Sequence, residues 1–262
     1  MLFDTAHILY MLISALLTAG GLVVLAIYLK DFQAKDIVLK VFAIITVIIH
    51  FSSLWVDYFT TGSAEVESTM LLPIYPCNIA MWLLLIVAFT KNKQTKAFKI
   101  MAEFTFYLGL VGGVVGIALN EIYSGNPNLA DWSTLKGLLS HSTMLFGAIY
   151  LLVGKYIRIR VDNVISVFAG LLLLFIDGVI IIAIHRFFGL DCPNCMYLLE
   201  NPVPNLKWFN TYVLGFVALL VSFAITAVYE GIALKKEDRW YTKLKEHMHK
   251  DKEQKHENEH NV

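Results

Sequence analysis

The sequence predicts an all-α membrane protein, a polytopic bundle of seven transmembrane helices with its N-terminus outside and its C-terminus in the cytoplasm. Of the 262 residues, 57% are hydrophobic, and the mean hydropathy is +0.63. This composition is typical of a chain that crosses a membrane several times, not of a soluble domain with one anchor. The seven apolar segments run Ile8–Leu29, Val38–Val56, Leu72–Phe89, Ile100–Leu119, Leu135–Val153, Val164–Phe188 and Phe209–Leu234.

The basic residues are distributed very unevenly among the connections between these segments. Of 21 Lys and Arg residues, 18 fall in the first, third and fifth connections and in the tail, and only Lys136, Arg186 and Lys207 fall elsewhere. Because cytoplasmic loops carry the excess of Lys and Arg, this split predicts the orientation given above. The chain then divides into a transmembrane domain, residues 1–234, and a charged, solvated cytoplasmic tail, residues 235–262. We expect a multi-pass protein of the cell membrane whose partners are membrane lipids and not nucleic acids.

The third apolar segment begins with residues that do not suit a simple spanning helix. Its run Ile79–Phe89 is too short to cross a bilayer alone, because a spanning helix needs about 20 residues. The preceding stretch Leu72–Asn78, which contains two prolines and Cys77, must therefore lie within the membrane boundary. Irregular or polar backbone at that depth is tolerated only where it is buried in protein or lines a cavity. The stretch is expected to form the wall of a pocket.

Further polar residues collect in the same outer half of the predicted bundle. Counted along their segments, they are His50, Cys77, Asn78, Asn120, His141 and His185, and Asp177 lies near the middle of the sixth segment. Ionisable groups at such depth usually face the bundle interior or a wet cavity. For His50 and Asp177, a structural hydrogen bond between helices is the alternative to a functional role. The inner half is expected to hold no comparable collection.

Small residues recur in the fourth segment at a spacing that favours close helix packing. Gly109, Gly112, Gly113 and Gly116 form two overlapping pairs, each four residues apart. Such pairs let a neighbouring backbone approach closely. We interpret them as packing inside the bundle, with a dimer interface as the alternative, and the oligomeric state stays open.

Cys77 and His141 are the residue types that thiol-based acyl transfer requires. The thiolate is the nucleophile, and an unperturbed thiol, with a pKa of about 8.5, is mostly protonated at neutral pH. A neighbouring imidazole can take that proton, and an amide such as that of Asn78 can stabilise an oxyanion. A cysteine is also often just a small buried hydrophobe, so spacing alone does not assign the role. This chemistry uses no metal and no cofactor.

The Cys192-Pro193-Asn194-Cys195 sequence permits three interpretations. A redox dithiol normally lies at a helix start in a soluble fold, and a zinc site would need two further ligands, for which only Asp191 and His185 are close in sequence. A disulfide that stabilises the loop, or two unremarkable thiols, is the default interpretation.

Three stretches of the chain resemble the YwaF-type family of small bacterial integral membrane proteins. They are Leu72-Pro73-x-x-x-Cys77-Asn78, the segment around His141, and the loop Asn194-Cys195-Met196-Tyr197-Leu198-x-x-Asn201-Pro202. That family is similar to a eukaryotic transmembrane acyltransferase family that remodels ether phospholipids, in which a Cys and a His are regarded as the catalytic pair. The resemblance covers all seven segments and implies that Cys77 and His141 are that pair here. It gives no role to Cys192 and Cys195, and it identifies no substrate.

The leading hypothesis is an integral membrane acyltransferase, or a lipid-acyl hydrolase, that acts near the outer leaflet with a phospholipid as acyl donor. Cys77 would be the nucleophile and His141 the base, with sulfur and a ring nitrogen within ~6 Å, beside an opening that faces lipid. The substrate would be bound by Asn78, His50, His185, Asn120 and Asp177. A carrier or receptor that binds a small polar or lipidic ligand in the same cavity is the second hypothesis. A structural or partner-binding membrane protein is the third.

Overall fold

The computed structural model describes residues 3–63, 71–119, 128–201 and 206–245, and within these ranges the chain forms seven long α-helices. They are α1 Thr5–Tyr28, α2 Phe32–Thr61, α3 Pro76–Phe89, α4 Lys96–Ala118, α5 Trp132–Val153, α6 Val164–Phe187 and α7 Thr211–Ala233. Short 3-10 helices occur at Val161–Asn163, Cys195–Tyr197 and Lys236–Asp238. No β-strand occurs in the described ranges, so the all-α prediction is confirmed.

Six of these helices are long and apolar enough to cross a membrane, and α3 is the exception. With 14 residues, α3 is about 21 Å long at 1.5 Å per residue, against a hydrocarbon thickness of about 30 Å. Pro76 occupies its first turn, where the missing N–H costs no hydrogen bond. The sequence therefore correctly placed the start of the short helix beside the two prolines.

The helices alternate in direction through the bundle. Where α4 packs on α5, Gly109 faces Ala148 and Gly116 faces His141, which makes the two helices antiparallel. On α3, Leu84 packs against Gly147 of α5. We call the end of the bundle where α3 and α5 begin the Cys77 end. The opposite end, where the basic connections lie, is the basic end.

Helix α5 is the centre of the bundle, with α1, α2, α3 and α4 packed around it. Polar side chains fix it against α2, because the Trp132 indole N–H donates to Ser52 at 3.0 Å and the Lys136 ammonium donates to Ser53 at 3.0 Å. On the other side, the hydroxyl of Ser142 lies 2.9 Å from that of Tyr10 in α1. Because lipid tails are as apolar as the helix surfaces, the hydrophobic effect does not drive helices together in a membrane. Interhelical hydrogen bonds of this kind therefore contribute to their association. They set the rotation of α5 about its own axis.

The glycines of α4 form a seam of close backbone approach to α5, as expected. A Cβ atom placed on Gly109 would lie 2.6 Å from the Ala148 Cβ, and one on Gly113 would lie 2.7 Å from the Leu145 Cβ. Both distances are shorter than carbon atoms tolerate, so only glycine fits at these positions. The spacing thus serves packing inside the bundle.

The basic end contains a buried polar network, which corrects the expectation that the inner half holds no collection of polar residues comparable to that of the outer half. The Glu230 carboxylate on α7 is fully buried and accepts backbone hydrogen bonds from Val161 at 2.7 Å and Trp240 at 2.9 Å. Arg160 lies 3.6 Å from the same carboxylate. Because a buried charge is stable only when paired and hydrogen-bonded, Glu230 ties the fifth connection and the start of the tail to α7.

Two further contacts extend this network between helices. The Asn163 side-chain amide donates to Glu103 of α4 at 3.0 Å, and the Tyr107 hydroxyl of α4 lies 2.5 Å from the Thr226 hydroxyl of α7. The first residues after α7 therefore pack on the bundle, and residues 240–245 are helical. The rest of the predicted solvated tail, residues 246–262, lies outside the described residues.

Candidate functional site

The irregular entry to α3 is held by the loop that precedes α7. The Met196 N–H donates to the Ile74 carbonyl at 2.9 Å, and the rings of Tyr75 and Tyr197 lie 5.4 Å apart. The Ile74 side chain is fully buried and belongs to one apolar cluster with Cys195. The start of the short helix is therefore positioned by a segment more than 100 residues away in the sequence.

The backbone of this loop adopts an unfavourable conformation at two successive residues. Met196 has φ 50° and Tyr197 has φ 57°, in the left-handed region that residues with a Cβ avoid at a cost of roughly 1–3 kcal/mol each. Two contacts hold the conformation, since the Thr211 hydroxyl donates to the Met196 carbonyl at 2.8 Å and Gly178 leaves room for the Met196 side chain. Such strain concentrates at functional sites, and here it lies against the entry to α3.

Cys77 and Asn78 are the second and third residues of α3. The Asn78 side chain is buried, and its Oδ1 accepts a hydrogen bond from the Tyr75 N–H at 3.0 Å, which caps the helix start. This fixes the orientation of the Asn78 amide and leaves its Nδ2 hydrogens for a substrate. Cys77 is partly exposed, at the end of a helix whose backbone N–H groups point toward the site.

The His141 ring on α5 lies directly over Gly116 of α4. A Cβ atom on Gly116 would come within 2.0 Å of the ring, so the absent side chain is what makes room for the imidazole. The Nδ1 of His141 lies 2.7 Å from the Gly137 carbonyl oxygen, which can only accept a hydrogen bond. Nδ1 therefore carries a proton, so that in the neutral form of the ring Nε2 is the proton acceptor.

Cys77 and His141 lie at nearly the same level of the bundle. Leu84 of α3 packs on Gly147 of α5, and the two helices run in the same direction. From that contact, Cys77 is about 10 Å and His141 about 9 Å toward the Cys77 end, at 1.5 Å per residue. Within the described ranges no hydrogen bond joins the two side chains, so the predicted separation of about 6 Å stays a prediction.

Two of the other candidates, His50 and His185, lie on α2 and α6. His50 of α2 is partly buried, with its ring 5.2 Å from that of Phe51. His185 is buried near the end of α6, and its Nδ1 donates to the Ile181 carbonyl at 2.9 Å. Asn120 lies outside the described residues.

Asp177 on α6 is the candidate with an unsatisfied group. Its Oδ2 is buried and has no hydrogen-bond partner among the described residues. The neighbouring Gly178 faces Met196 and Leu198, which places Asp177 beside the loop that holds the entry to α3. In the described ranges, neither Asp177 nor His185 is hydrogen-bonded to Cys77 or His141.

Cys192 and Cys195 are both free thiols in this structure. Cys195 is fully buried beside Ile74, and burial raises the pKa of its thiol to about 11. The loop is therefore fixed by packing and by its hydrogen bonds to Ile74 and Thr211, without a disulfide. Cys195 is a core residue without exposed surface, and Cys192 is partly buried at the edge of the same cluster.

The roles of three residues at the site were not predicted from the sequence. Gly116 was interpreted only as a packing residue, although it also makes room for the His141 ring. Gly137 fixes the tautomer of that ring through a backbone carbonyl, for which no side-chain signal exists. Met196 is part of the recognised loop, but its left-handed backbone conformation has no signature in the residue type.

Comparison with known proteins supplies a family. A model of the TMEM164 family, a transmembrane protein family, matches residues 2–228. The match spans α1 to α6 and most of α7. A search of curated proteins and a search of solved structures found no match to the chain. Since the family match covers nearly the whole length, this multi-pass membrane protein belongs to the TMEM164 family.

Proposed function

We propose that the protein is a membrane-embedded, thiol-dependent acyltransferase, or lipid-acyl hydrolase, that uses Cys77 as nucleophile and His141 as base on phospholipid acyl chains. The observation that carries the proposal is the common level of the two residues on neighbouring helices, with the His141 Nε2 left as a proton acceptor. The resemblance of the Cys77 and His141 segments to the ether-phospholipid acyltransferases supports the same assignment. In this proposal the chain crosses the cell membrane seven times, and the Cys77 end faces the outer leaflet.

The reaction proceeds in two balanced halves. The Cys77 thiol gives its proton to His141 Nε2, and the sulfur attacks the carbonyl carbon of a phospholipid ester. A carbon–sulfur bond forms, the ester carbon–oxygen bond breaks, and the lysophospholipid oxygen leaves with the proton from His141. A lysolipid hydroxyl, or water, then loses its proton to His141 and attacks the thioester carbon. A carbon–oxygen bond forms, the carbon–sulfur bond breaks, and the leaving sulfur takes the proton from His141, which restores the Cys77 thiol.

The surroundings of the sulfur explain why a base is needed. Apolar neighbours oppose the formation of a thiolate, whereas the backbone N–H groups at the start of α3 stabilise it. An acceptor at the level of the sulfur removes the proton as the carbon–sulfur bond forms. The Asn78 Nδ2, held in place by the bond from the Tyr75 N–H to its Oδ1, would donate to the developing oxyanion. His50, His185, Asn120 and Asp177 would contact the substrate.

The direct test is a search for the acyl intermediate. Purified full-length protein, incubated with a phospholipid that carries an alkyne-tagged acyl chain, is expected to show one hydroxylamine-sensitive adduct, located on Cys77 by peptide mass spectrometry. Cys192 is the internal control, because it is another partly exposed thiol. An adduct spread equally over both cysteines, or no adduct while lipid is consumed, contradicts the mechanism.

A substitution at Gly116 tests the role of His141 without replacing the histidine itself. In Gly116→Ala, the added methyl group would overlap the ring, so His141 must rotate away from its present position. We expect acylation of Cys77 to fall by about 100-fold, in the range that loss of a general base produces. The control is Gly112→Ala, whose methyl group would meet only the Met144 Cε, at 3.7 Å. Equal acylation by the two variants would remove His141 from the mechanism.

A carrier or receptor is the second candidate, and the unpartnered Oδ2 of Asp177 favours it. A buried carboxyl group without a partner suits a polar ligand group that arrives from outside. The two functions separate in Cys77→Ala, where a carrier retains bound lipid and its full function. An enzyme retains the lipid but forms no adduct and no product.

A further inference from the structure

A groove on the lipid-facing surface lies far from Cys77, between α6 and α7. Its volume is about 430 Å³, and it is lined by Val164, Ile165 and Phe168 of α6 and by Leu219, Leu220 and Phe223 of α7. The α6 residues are the first turns of that helix, so the groove belongs to the basic end. It is not the opening that the sequence predicts beside Cys77.

The shape and lining of the groove fit a hydrocarbon chain. Its volume is within the range of small-molecule sites, about 300–1,000 Å³, but such sites usually carry a few polar groups, and all six lining residues here are apolar. A helix from a second copy is a poorer fit, because helices associate in membranes through small residues that let their backbones approach. Leu and Phe hold a neighbouring backbone away and leave space for a thin, flexible occupant.

Trp240 shows where the groove meets the membrane surface. Its ring lies 5.7 Å from that of Phe223, a lining residue, and its backbone N–H is bound by the buried Glu230. Tryptophan is enriched at the level of the lipid headgroups. The groove therefore begins near the interface and extends into the hydrocarbon region, which is the path of one acyl chain.

The charges at the interface end of the groove favour an anionic headgroup. Residues 154–163, which lead into α6, carry three basic residues and one acid, and residues 234–245, which follow α7, carry five basic residues and two acids. Arg158, Lys235 and Lys236 are exposed. Basic clusters beside a helix end attract anionic lipids, by roughly a fivefold gain in binding per Lys or Arg near the surface.

We propose that the α6–α7 groove is a binding site for one anionic phospholipid of the leaflet at the basic end. The acyl chain occupies the groove, and the phosphate lies at the basic residues beside Trp240. The site is separate from the proposed chemistry at the Cys77 end and does not depend on it.

The test is photo-cross-linking in vesicles. The full-length protein is reconstituted in phosphatidylcholine that contains a trace of phosphatidylglycerol with a diazirine in its acyl chain, and the adducts are mapped by mass spectrometry. We expect labelling to concentrate on the six lining residues and to exceed that from the matching phosphatidylcholine probe. The double variant Lys235→Gln, Lys236→Gln is expected to lower the preference for phosphatidylglycerol by about fivefold or more.

Leu220→Trp and Leu173→Trp form a matched pair. Both leucines are half exposed or more, so both variants tolerate the larger ring, but only Leu220 lines the groove. Labelling of the remaining lining residues is expected to fall several-fold in Leu220→Trp and to stay unchanged in Leu173→Trp. Labelling that is even over all lipid-facing helices overturns the proposal, and so does an equal response to the two substitutions. Cross-links between the grooves of two copies would identify a dimer interface and also overturn it.

Discussion

Cys77→Ala is expected to abolish turnover of a phospholipid ester, with a loss of at least about 10³-fold, while the protein keeps its fold. The loss follows because no other described side chain can attack from the same position at the start of α3. The fold is retained because Cys77 is partly exposed and, among the described residues, makes no hydrogen bond to a side chain of another helix. The measurement is the rate at which the purified protein, in mixed micelles with the phospholipid, produces lysophospholipid.

The matched control is Cys192→Ala, which removes a partly buried thiol from the loop above α3. We expect it to keep the turnover of the unmodified protein within about twofold, since Cys192 lies at the edge of its cluster and surface substitutions have small effects. Full turnover in Cys77→Ala would end the thiol mechanism. An equal loss of turnover in Cys192→Ala and Cys77→Ala would mean that both substitutions act by disturbing the loop and the start of α3, and not by removing a nucleophile.

Gly113→Ala is expected to destabilise the bundle by about 2 kcal/mol or more, although alanine is the better helix former by about 1 kcal/mol. The added methyl group would lie 2.7 Å from the Leu145 Cβ and 3.2 Å from the Leu145 Cα. These are atoms next to or within the backbone of α5, and α5 is held from its other side by α1 and α2. The helices must therefore separate along the seam.

The measurement is the free energy of unfolding in detergent, from denaturant titration followed by far-UV circular dichroism. Gly112→Ala, one residue away, is the matched control, since its nearest contact is an ordinary 3.7 Å to a flexible Met144 side chain. Its stability should be unchanged or higher by up to about 1 kcal/mol. Equal stabilities for the two variants would mean that α4 and α5 do not meet along this seam.

The sequence was sufficient to predict the seven long helices and their approximate positions along the chain. Helices in a membrane satisfy their own backbone hydrogen bonds, so apolar segment length alone predicts them. The unusual start of the third segment was also visible in the sequence, because Pro73 and Pro76 precede an apolar run that is too short to span a bilayer. The glycine spacing on α4 correctly predicted a close internal contact, since a backbone approach has a residue signature.

The two hydrogen bonds that hold the Glu230 carboxylate at the basic end were not predicted, because their donors are backbone groups. Glu230 lies near the end of the seventh predicted segment, and only the fold brings it to the N–H groups of Val161 and Trp240. A buried carboxylate is stable only with such partners. Sequence patterns record side chains, and these hydrogen bonds depend on where the chain turns.

The sequence by itself determined which residue types are available at the Cys77 end, including Cys77, Asn78 and His141, and it predicts that they lie within the membrane region. The tertiary structure alone decided how these residues are arranged. The contact of Leu84 with Gly147 sets the common level of Cys77 and His141, and the absent side chain of Gly116 makes room for the imidazole. The Gly137 carbonyl selects the tautomer of that ring. The loop through Met196 holds the entry to α3, and its cysteines remain free thiols. The physical reason is that level, ring orientation and tautomer depend on contacts between segments far apart in the chain, which no local pattern encodes.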